Sequence, residues 1–379
     1  MLISAIAGAG HTAAIVTCPP SNDTDAIFPD SRVRVFTVPR GRASLQAFAK
    51  VLQEFEPDVV HFTGGPRIPD QVFWARAARK NGIPYIVSAC GNLSADTFRY
   101  RWGTKKNRFY HPSAKRLFHR FLDRPFLHGA AAVHAGSRNE AEIAGEAGAR
   151  SVFVAPFGVK DEWLARPRSD RNPHDPIVFS YLGRLSIHHK GLDLVIEAFG
   201  KVVAAGFGER FRLVLAGTDE NGSMGYLKQR AQELGIQHVT FPGGLWAEEK
   251  KRLWDESDYF LHVCRYNGFA LSVREALGQG LPIIASRESD LGDWTHRYNM
   301  GAVAHLSSGS IAEAVIGMLR QSPAVYSSMS KNARAFAEET VWSSIARLCL
   351  AAYALHVPVG PDEIVEAHTR HDAPTEGTK

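Results

Sequence analysis

The sequence has no long apolar segment and few cysteines. No apolar run in its 379 residues reaches the roughly 20 residues of a transmembrane helix. Its four cysteines are widely separated and lack the spacing of a metal site, which favours reduced thiols. The apolar N-terminus carries no basic flank, which argues against a signal peptide. We therefore expect a cytoplasmic protein without disulfides or a structural metal.

Strong charge of one sign is also lacking. The formal net charge is +5, which favours anionic partners only weakly. No predicted strand is followed by Gly-x-Gly-x-x-Gly, which makes a nicotinamide dehydrogenase a weak alternative. A hydrophobic content of 45% and a charged content of 22% indicate a folded protein, and the length suits two domains.

Apolar strands alternate with amphipathic helices along most of the chain. Strands are predicted over 11–17, 32–38, 57–63, 84–88, 130–134, 152–155, 177–182, 211–216, 238–241, 259–263 and 282–285. Helices are predicted over 3–10, 43–55, 68–81, 192–205, 223–234 and 247–254, and Ser137 with Glu140 forms a capping box for another. Such alternation predicts doubly wound parallel sheets, whose ligands lie at the carboxyl ends of the strands.

The stretch 259–286 combines a strand, a tight loop, a helix and a second strand. The helix follows Gly268 and Phe269 and stops at Gly278. Free N–H groups at a helix N-terminus attract anions. Glu275 lies about one turn into this helix, where a carboxylate can bind a pair of sugar hydroxyls.

This stretch resembles the donor-site signature of glycosyltransferase family 4, whose members have the GT-B fold. The family pattern is Glu-Gly-Phe-Gly-Leu, with a second Glu eight residues after the first and then a glycine turn and a Pro-led strand. The matching positions are Gly268, Phe269, Leu271, Glu275, Ala276, Gly280 and Pro282. Asn267 replaces the first Glu of the pattern, and an amide still forms hydrogen bonds there without charge.

A second stretch, 183–193, resembles the family's Gly-Arg-Leu…Lys-Gly-x-Asp and supplies Arg184, Lys190 and Asp193. Arg binds a diphosphate bidentately, and Lys acts on it as a point charge. The resemblance implies that Arg184 and Lys190 stabilise the diphosphate leaving group and that Glu275 binds the ribose. A pair of ordinary surface cations is the alternative. The resemblance further implies substrate contacts from Gly183, Gly243, Gly244, Asn267, Gly268, Phe269, Ala270, Leu271 and Ser272.

The N-terminal part resembles the family more loosely. The segment 57–61 resembles the family's Pro-Asp-Val-Val-His, which makes His61 a candidate substrate contact, although a structural role stays open. Cys90 and Gly91 are the other candidates, and Cys90 stands where relatives often carry His or Arg. Residues 7–16 resemble the end of the family's first helix and its second strand. We therefore expect the first strand and its glycine-rich loop to be missing from the sheet.

Two other segments carry charge patterns with several interpretations. Residues 99–124 are rich in Lys, Arg and aromatic residues. They fit a solvated amphipathic helix, a contact with an anionic membrane, or, least well, single-stranded nucleic acid. Asp23-Thr24-Asp25 has the form of an Asp-x-Asp metal motif, but its loop composition favours a solvated acidic turn. We expect neither a metal nor a nucleic-acid partner.

The sequence thus predicts an α/β fold of two Rossmann-like doubly wound domains (GT-B) facing across a cleft. The predicted parts are an acceptor-side domain (1–165), a linker (166–176), a nucleotide-sugar domain (177–339), a returning helix (340–356) and a disordered tail (357–379).

The resemblance implies retaining, metal-independent transfer of a hexose from a nucleotide-sugar to a polysaccharide or lipid-linked acceptor in cell-surface glycan biosynthesis. The predicted location is cytoplasmic, including peripheral contact with the inner membrane face. The nucleotide-sugar is a substrate, and no cofactor is expected. The alternative is a non-catalytic GT-B protein that binds a nucleotide or a partner. A GT-B epimerase is weaker, because its extra carboxylates have no clear place in this sequence.

Overall fold

The computed structural model describes residues 1–18, 30–63, 68–88, 90, 117, 119–164, 173–265 and 270–356. The acidic turn 23–25, most of the basic segment 99–124, residues 166–172 of the predicted linker, and the tail 357–379 lie outside this part of the chain. The predicted domain boundaries therefore stay predictions.

The N-terminal half alternates strands and helices as predicted. Its strands are β1 (Ala13–Thr17), β2 (Val33–Thr37), β3 (Val60–Thr63), β4 (Tyr85–Ser88), β5 (Ala132–Ala135) and β6 (Val152–Val154). Its helices are α1 (Leu2–Gly8), α2 (Arg42–Phe55), α3 (Pro69–Lys80), α4 (Arg124–Gly129) and α5 (Arg138–Glu146). Ser137 caps α5 by accepting a hydrogen bond from the Glu140 N–H at 3.0 Å, as its sequence pattern predicts.

The strands of this half form two separate parallel sheets. One pairs β1 with β2, and the other has the order β3-β4-β5-β6. Within the described residues, β1 and β3 therefore each pair on one side only, and their open edges belong to different sheets. The expected absence of the first strand stays a prediction.

Helix α1 connects the two sheets through its packing. Ile6 lies in a buried cluster with Ile86 and Ala132 of the four-stranded sheet. Its neighbour Ala7 packs with Ala13 and Val33 of the two-stranded sheet. Because adjacent residues of one helix contact different sheets, α1 holds the β1–β2 pair in place.

The C-terminal half contains one larger sheet. Its strands are β7 (Ile177–Leu182), β8 (Phe211–Ala216), β9 (Val239–Gly243), β10 (Tyr259–His262), β11 (Ile283–Ser286) and β12 (Gly301–Ala304). Its helices are α6 (Ile187–Lys190), α7 (Leu192–Val202), α8 (Ser223–Glu233), α9 (Ala247–Glu256), α10 (Leu271–Gly278), α11 (Asp290–Tyr298), α12 (Ser308–Leu319) and α13 (Pro323–Glu339).

The six strands are parallel and follow the order β12-β11-β10-β7-β8-β9. Separate apolar clusters pack around the sheet, one containing Phe179 and Phe199, the other containing Trp254 and Phe260. A sheet with buried strands and flanking helices is the doubly wound arrangement that the alternation predicts. Because β7 lies beside β10, the loops that follow these two strands meet at one edge.

The chain crosses between the halves twice, and the two crossings are bonded to each other. The N–H of Val159 donates to the Thr340 carbonyl at 2.8 Å, and the N–H of Trp342 donates to the Val159 carbonyl at 3.2 Å. Helix α14 (Trp342–Ala354) then packs Ile345 against the N-terminal half. The predicted return of this helix to the first domain agrees with this packing.

Some elements differ from the sequence predictions. Residues 187–190 form the short helix α6, although we predicted a loop there, because Ser186 caps the His189 N–H. Strand β9 extends through Gly243, where we predicted a turn. The elements α11, β12, α12 and α13 had no sequence prediction.

Candidate functional site

Arg184 lies just beyond the carboxyl end of β7, as predicted. Its Nη1 donates to Oε1 of Glu220 at 2.5 Å, and half of the Arg184 side chain is exposed. Glu220 follows the neighbouring strand β8. The guanidinium is therefore accessible at the edge where the sheet binds ligands, but a carboxylate already contacts it.

Lys190 comes from the same loop and reaches the next strand of the sheet. Its Nζ lies 3.9 Å from Sγ of Cys264, just after β10. Burial lowers the pKa of the nearby His262 ring to about 3, and the charge of Lys190 acts in the same direction. Within the described chain, Nε2 of His262 has no hydrogen-bond partner.

An ion pair ties the loop after β10 to the start of α7. Arg265 donates from Nη1 and Nη2 to the two carboxylate oxygens of Asp193, at 2.8 and 2.7 Å. Nη1 also donates to the Ile187 carbonyl at 2.6 Å. Asp193 is the acidic residue that the family pattern contains, and here it fixes the loop of Lys190 against the loop that leads to α10.

Glu275 lies on α10 and is mostly buried, with 13% of its side chain exposed. Nζ of Lys250, from α9, donates to Oε1 at 2.8 Å. Burial raises the pKa of Glu275, while Lys250, then Lys160 and Arg274, act in the opposite direction. The carboxylate of Glu275 is therefore surrounded by cationic side chains, which no sequence motif predicted.

Glycines allow a close approach of backbones at this edge. Gly217 has a φ of 150°, and its N–H donates to the Gly243 carbonyl at 2.6 Å. A Cβ at Gly217 would collide with the Gly183 carbonyl oxygen. Gly243 also has a positive φ, of 84°, and space for a Cβ is open there. Gly183 and Gly243 therefore lie near each other, because both contact Gly217. Both are predicted to contact the same donor. Gly244 packs beside Trp246.

The remaining predicted donor contacts divide into two groups. Asn267, Gly268 and Phe269 lie outside the described residues. Ala270 is the N-cap of α10, followed by Leu271 and Ser272, and no described side chain caps this helix. Helix N-termini attract anions, and the predicted donor contacts of Ala270, Leu271 and Ser272 stay predictions.

His61 belongs to a buried chain of hydrogen bonds. The ring distances are 2.5 Å from Nδ1 to the Tyr353 hydroxyl and 2.7 Å from Nε2 to Oγ of Ser88. Oγ of Ser88 lies 2.9 Å from Nδ1 of His134, and Nε2 of His134 lies 2.8 Å from the Ala155 carbonyl.

A carbonyl only accepts, so the proton of neutral His134 is on Nε2 and its Nδ1 accepts from Ser88. Ser88 then accepts from Nε2 of His61, whose Nδ1 accepts from Tyr353. Burial, and then the proximity of the second titratable ring of His134, lowers the pKa of His61 to about 3, so both rings stay neutral. Both ring nitrogens of His61 are thus bonded inside the protein. This bonding favours the structural role of His61 over the predicted substrate contact.

Cys90 has a left-handed backbone conformation with a φ of 50° and is partly buried. Its substrate contact stays a prediction, and Gly91 lies outside the described residues. Among the described residues, no group of three or more His, Cys, Asp or Glu is arranged to hold a metal ion. The described helices include none with the length and apolarity to cross a membrane.

Glu220, Lys250, Arg265 and Arg274 are site residues that the sequence analysis missed. Glu220, Lys250 and Arg265 contact Arg184, Glu275 and Asp193 from distant positions in the chain. Arg274 neighbours Glu275 and contacts Gly158 and Trp342. No motif spacing reveals such partners, because their proximity depends on how the strands are ordered in the sheet.

The chain forms two doubly wound halves, and its two crossings between them are hydrogen-bonded to each other. Arg184 and Lys190 place positive charge at the carboxyl edge of the second sheet. These features define a protein of the GT-B class. Two family descriptions match the chain. "Glycosyl transferase 4-like domain" matches residues 1–158, and "Glycosyl transferases group 1" matches residues 164–336. Together they cover most of the sequence, and the chain belongs to the glycosyltransferases of family 4.

Curated relatives match shorter stretches. An uncharacterized glycosyltransferase of Methanocaldococcus jannaschii is 26% identical over 140 residues, covering 34% of this chain and 34% of the relative. Mannosylfructose-phosphate synthase of Agrobacterium fabrum is 29% identical over 110 residues, covering 28% of this chain and 24% of the relative. The chain thus aligns with about a third or less of the length of these relatives.

Solved structures match nearly the whole fold. Sucrose-phosphate synthase from Thermosynechococcus elongatus superimposes with a TM-score of 0.70 at 17% identity, covering 93% of this chain and 91% of that chain. HepE of Anabaena, in complex with UDP-glucose, gives a TM-score of 0.64 at 18% identity, covering 90% of this chain and 99% of that chain. At these identities the likeness shows the fold, which is the predicted GT-B arrangement of two Rossmann-like domains.

Proposed function

We propose that this protein is a retaining, metal-independent hexosyltransferase that uses a nucleotide-sugar donor. The supporting observation is the contact between the loops after β7 and β10. Lys190 lies 3.9 Å from Cys264, and Arg265 fixes the same two loops through Asp193. This contact brings the cationic loop to the strand that leads, through 266–269, to α10 and Glu275.

In the proposed complex the donor lies along this edge of the C-terminal half. Arg184 and Lys190 bind the diphosphate, and the N–H groups of Leu271 and Ser272 contact phosphate or sugar. Glu275 accepts hydrogen bonds from the ribose hydroxyls. The glycines at 183, 243 and 244 let the donor approach the backbone, and Asn267 bonds a hydroxyl of the transferred sugar.

The proposed reaction breaks the bond between the anomeric carbon and the diphosphate oxygen. Negative charge then develops on the departing diphosphate, and Arg184 and Lys190 stabilise it. The oxygen of the acceptor hydroxyl bonds the same carbon, and its proton passes to the departing diphosphate oxygen. Closure of the two domains excludes water that would otherwise hydrolyse the donor. Retention of configuration is proposed from family membership, and HepE, whose solved complex contains UDP-glucose, supports a nucleotide-sugar donor.

The proposed acceptor is a growing polysaccharide or a lipid-linked glycan at the cytoplasmic face of a membrane. The segment 99–124 supports this choice, because its Lys, Arg and aromatic residues suit an anionic lipid surface. Vesicles with and without anionic lipid would test it in a sedimentation assay. Binding that depends on neither lipid charge nor ionic strength would contradict a membrane-bound acceptor and favour a soluble one.

A thermal-shift screen with UDP-, GDP- and ADP-sugars tests the donor site directly. A donor that binds only the folded state raises the melting temperature. The same donor should then be hydrolysed or transferred, and Arg184→Met and Lys190→Met should each reduce turnover by about a hundredfold. Arg212→Met, on the exposed side of β8, is the matched control. Equal turnover in all variants would overturn the assigned roles.

The alternative is a non-catalytic GT-B protein that binds a nucleotide. The division of the N-terminal half into two sheets favours it, as does the thiol of Cys90 where relatives often carry His or Arg. A nucleotide that binds tightly without any donor hydrolysis or transfer would support this alternative over the enzyme.

A further inference from the structure

Arg274 is a buried cation on the donor helix α10, next to Glu275. The residue is only 8% exposed. No described carboxylate forms an ion pair with it, and its Nε lacks a hydrogen-bond partner among the described residues. Burial lowers the pKa of Arg274 to about 10. An apolar side chain would fill this position at less cost to folding, so the guanidinium calls for another explanation.

The contacts of Arg274 are with the two chain crossings. Its Nη1 donates to the Gly158 carbonyl at 2.8 Å, in the first crossing. Its guanidinium carbon lies 5.6 Å from the ring centre of Trp342, in the second crossing. One side chain of the donor helix thus contacts both segments through which the halves are connected.

The two crossings are tightly packed at this point. A Cβ at Gly158 would lie 2.5 Å from the Trp342 ring, so the ring rests directly on the Gly158 backbone. Val159, the next residue, is bonded to the second crossing through both its N–H and its carbonyl. A change in the angle between the halves must therefore move Gly158 and Trp342 together, and Arg274 with them.

We propose that Arg274 is a positioning residue that couples occupation of the donor site to the closure of the two domains. This inference rests on the proposed function, in which Glu275 binds the donor ribose. When the ribose replaces Lys250 as a partner of Glu275, α10 shifts, and Arg274 transmits the shift to Gly158 and Trp342. The residue touches no reacting atom.

Closure is measured by small-angle scattering and by hydrogen exchange of 156–160 and 340–342, with and without UDP. Two variants are compared. Arg274→Met removes the charge and leaves an apolar side chain of similar length, and Arg274→Lys retains a positive charge to pair with the Gly158 carbonyl. Arg347→Met, an exposed residue of α14, is the control. In the wild type and the control, UDP should compact the protein and slow exchange at least fivefold in both crossings.

In Arg274→Met, UDP should bind within about threefold of the wild-type affinity but should produce no compaction and no protection of the crossings. In a donor-hydrolysis assay its kcat should fall at least tenfold with little change in KM, and Arg274→Lys should recover part of the loss. If Arg274 were needed only for stability, its replacement would lower the melting temperature without lowering kcat selectively relative to KM.

The outcomes separate this inference from the proposed function. If UDP, GDP and ADP all fail to bind the wild type, the proposed function fails and the coupling fails with it. If UDP binds and Arg274→Met closes like the wild type, the coupling is wrong while the donor site stands. Should Arg274→Met fail to fold, Arg274→Lys decides the question through the same exchange measurement.

Discussion

The ammonium of Lys250 lies 2.8 Å from Oε1 of Glu275, and its other neighbour is the ring of Trp163, with the centre 5.1 Å away. The proposed ribose-binding carboxylate is thus already paired before any donor arrives. Burial raises the pKa of Glu275, and Lys250 is the strongest influence that counters it. Donor binding should therefore depend on pH, since ribose hydroxyls donate best to the ionised carboxylate.

We predict that Lys250→Met moves the loss of nucleotide affinity to higher pH. In the wild type, protonation of Glu275 competes with UDP as the pH falls, so affinity decreases up to tenfold per pH unit below its raised pKa. Removal of Lys250 raises that pKa further. Calorimetric titration with UDP between pH 5 and 8 measures both curves. Lys251→Met, an exposed neighbour paired with Glu248, is the control.

An equal loss of affinity at every pH in Lys250→Met would contradict this role. Such a uniform loss would mean that Lys250 itself contacts the nucleotide. A profile unchanged from the wild type would mean that Glu275 does not bind the ribose at all.

We predict that Glu220→Gln strengthens nucleotide binding. Arg184 is bonded to Glu220 at 2.5 Å, and this contact competes with the donor diphosphate. The pair is half exposed and contributes little by itself, so the gain should be at most about fivefold. Titration with UDP at low and moderate salt measures it. Glu209→Gln, whose carboxylate pairs with His238 at an exposed position, should leave affinity unchanged, and weaker binding in Glu220→Gln would refute the competition.

The sequence predicted the strands and the helices of the donor edge well, because their hydrophobic periodicity is local. The positions of Arg184, Lys190 and Glu275 relative to the strands could also be predicted, since each comes after an apolar strand. The side chains that pair with these residues could not be predicted from the sequence. Lys250 and Glu220 lie on elements whose proximity is set by the strand order, and no local pattern contains that order.

The role of His61 shows the same limit in the N-terminal half. Its motif predicted a strand end, and β3 is there. The ring partners Ser88, His134 and Tyr353 come from two other strands and from the returning helix, far apart in sequence. Sequence pattern alone left a structural and a substrate-binding role open, and only the folded arrangement of donors and acceptors distinguishes them.

We predict that stability falls with acid below about pH 6.5 because of these neutral histidines. The folded pKa of His61 is about 3, whereas an unfolded histidine titrates near 6.5. The unfolded state therefore binds the proton first, and the contribution of His61 is complete above pH 6.5 and lost as the pH falls towards 3. The slope should approach about 1.4 kcal/mol per pH unit for each such histidine.

Denaturant unfolding between pH 7.5 and 5 tests this expectation. His61→Gln should reduce the slope by about 1.4 kcal/mol per pH unit, because it removes one group that binds a proton on unfolding. Ser88→Ala interrupts the chain between the two rings and should cost roughly 1–3 kcal/mol at neutral pH. A wild type whose free energy of unfolding is flat from pH 7 to 5 would refute the assigned protonation states.

We predict that the β1–β2 pair opens separately from the rest of the protein. Two strands alone are marginally stable, and this pair is held by the packing of α1 on both sheets. Ile6→Ala removes the side chain that anchors α1 beside Ile86 and Ala132, at a cost of about 2–4 kcal/mol. Hydrogen exchange should then accelerate in β1 and β2 but not in β7 or β10, which lie inside the six-stranded sheet. Leu348→Ala, an exposed residue of α14, is the control. Acceleration spread equally over both halves would mean that the pair is not a separate unit, because loss of one anchor would then lower the stability of the whole protein.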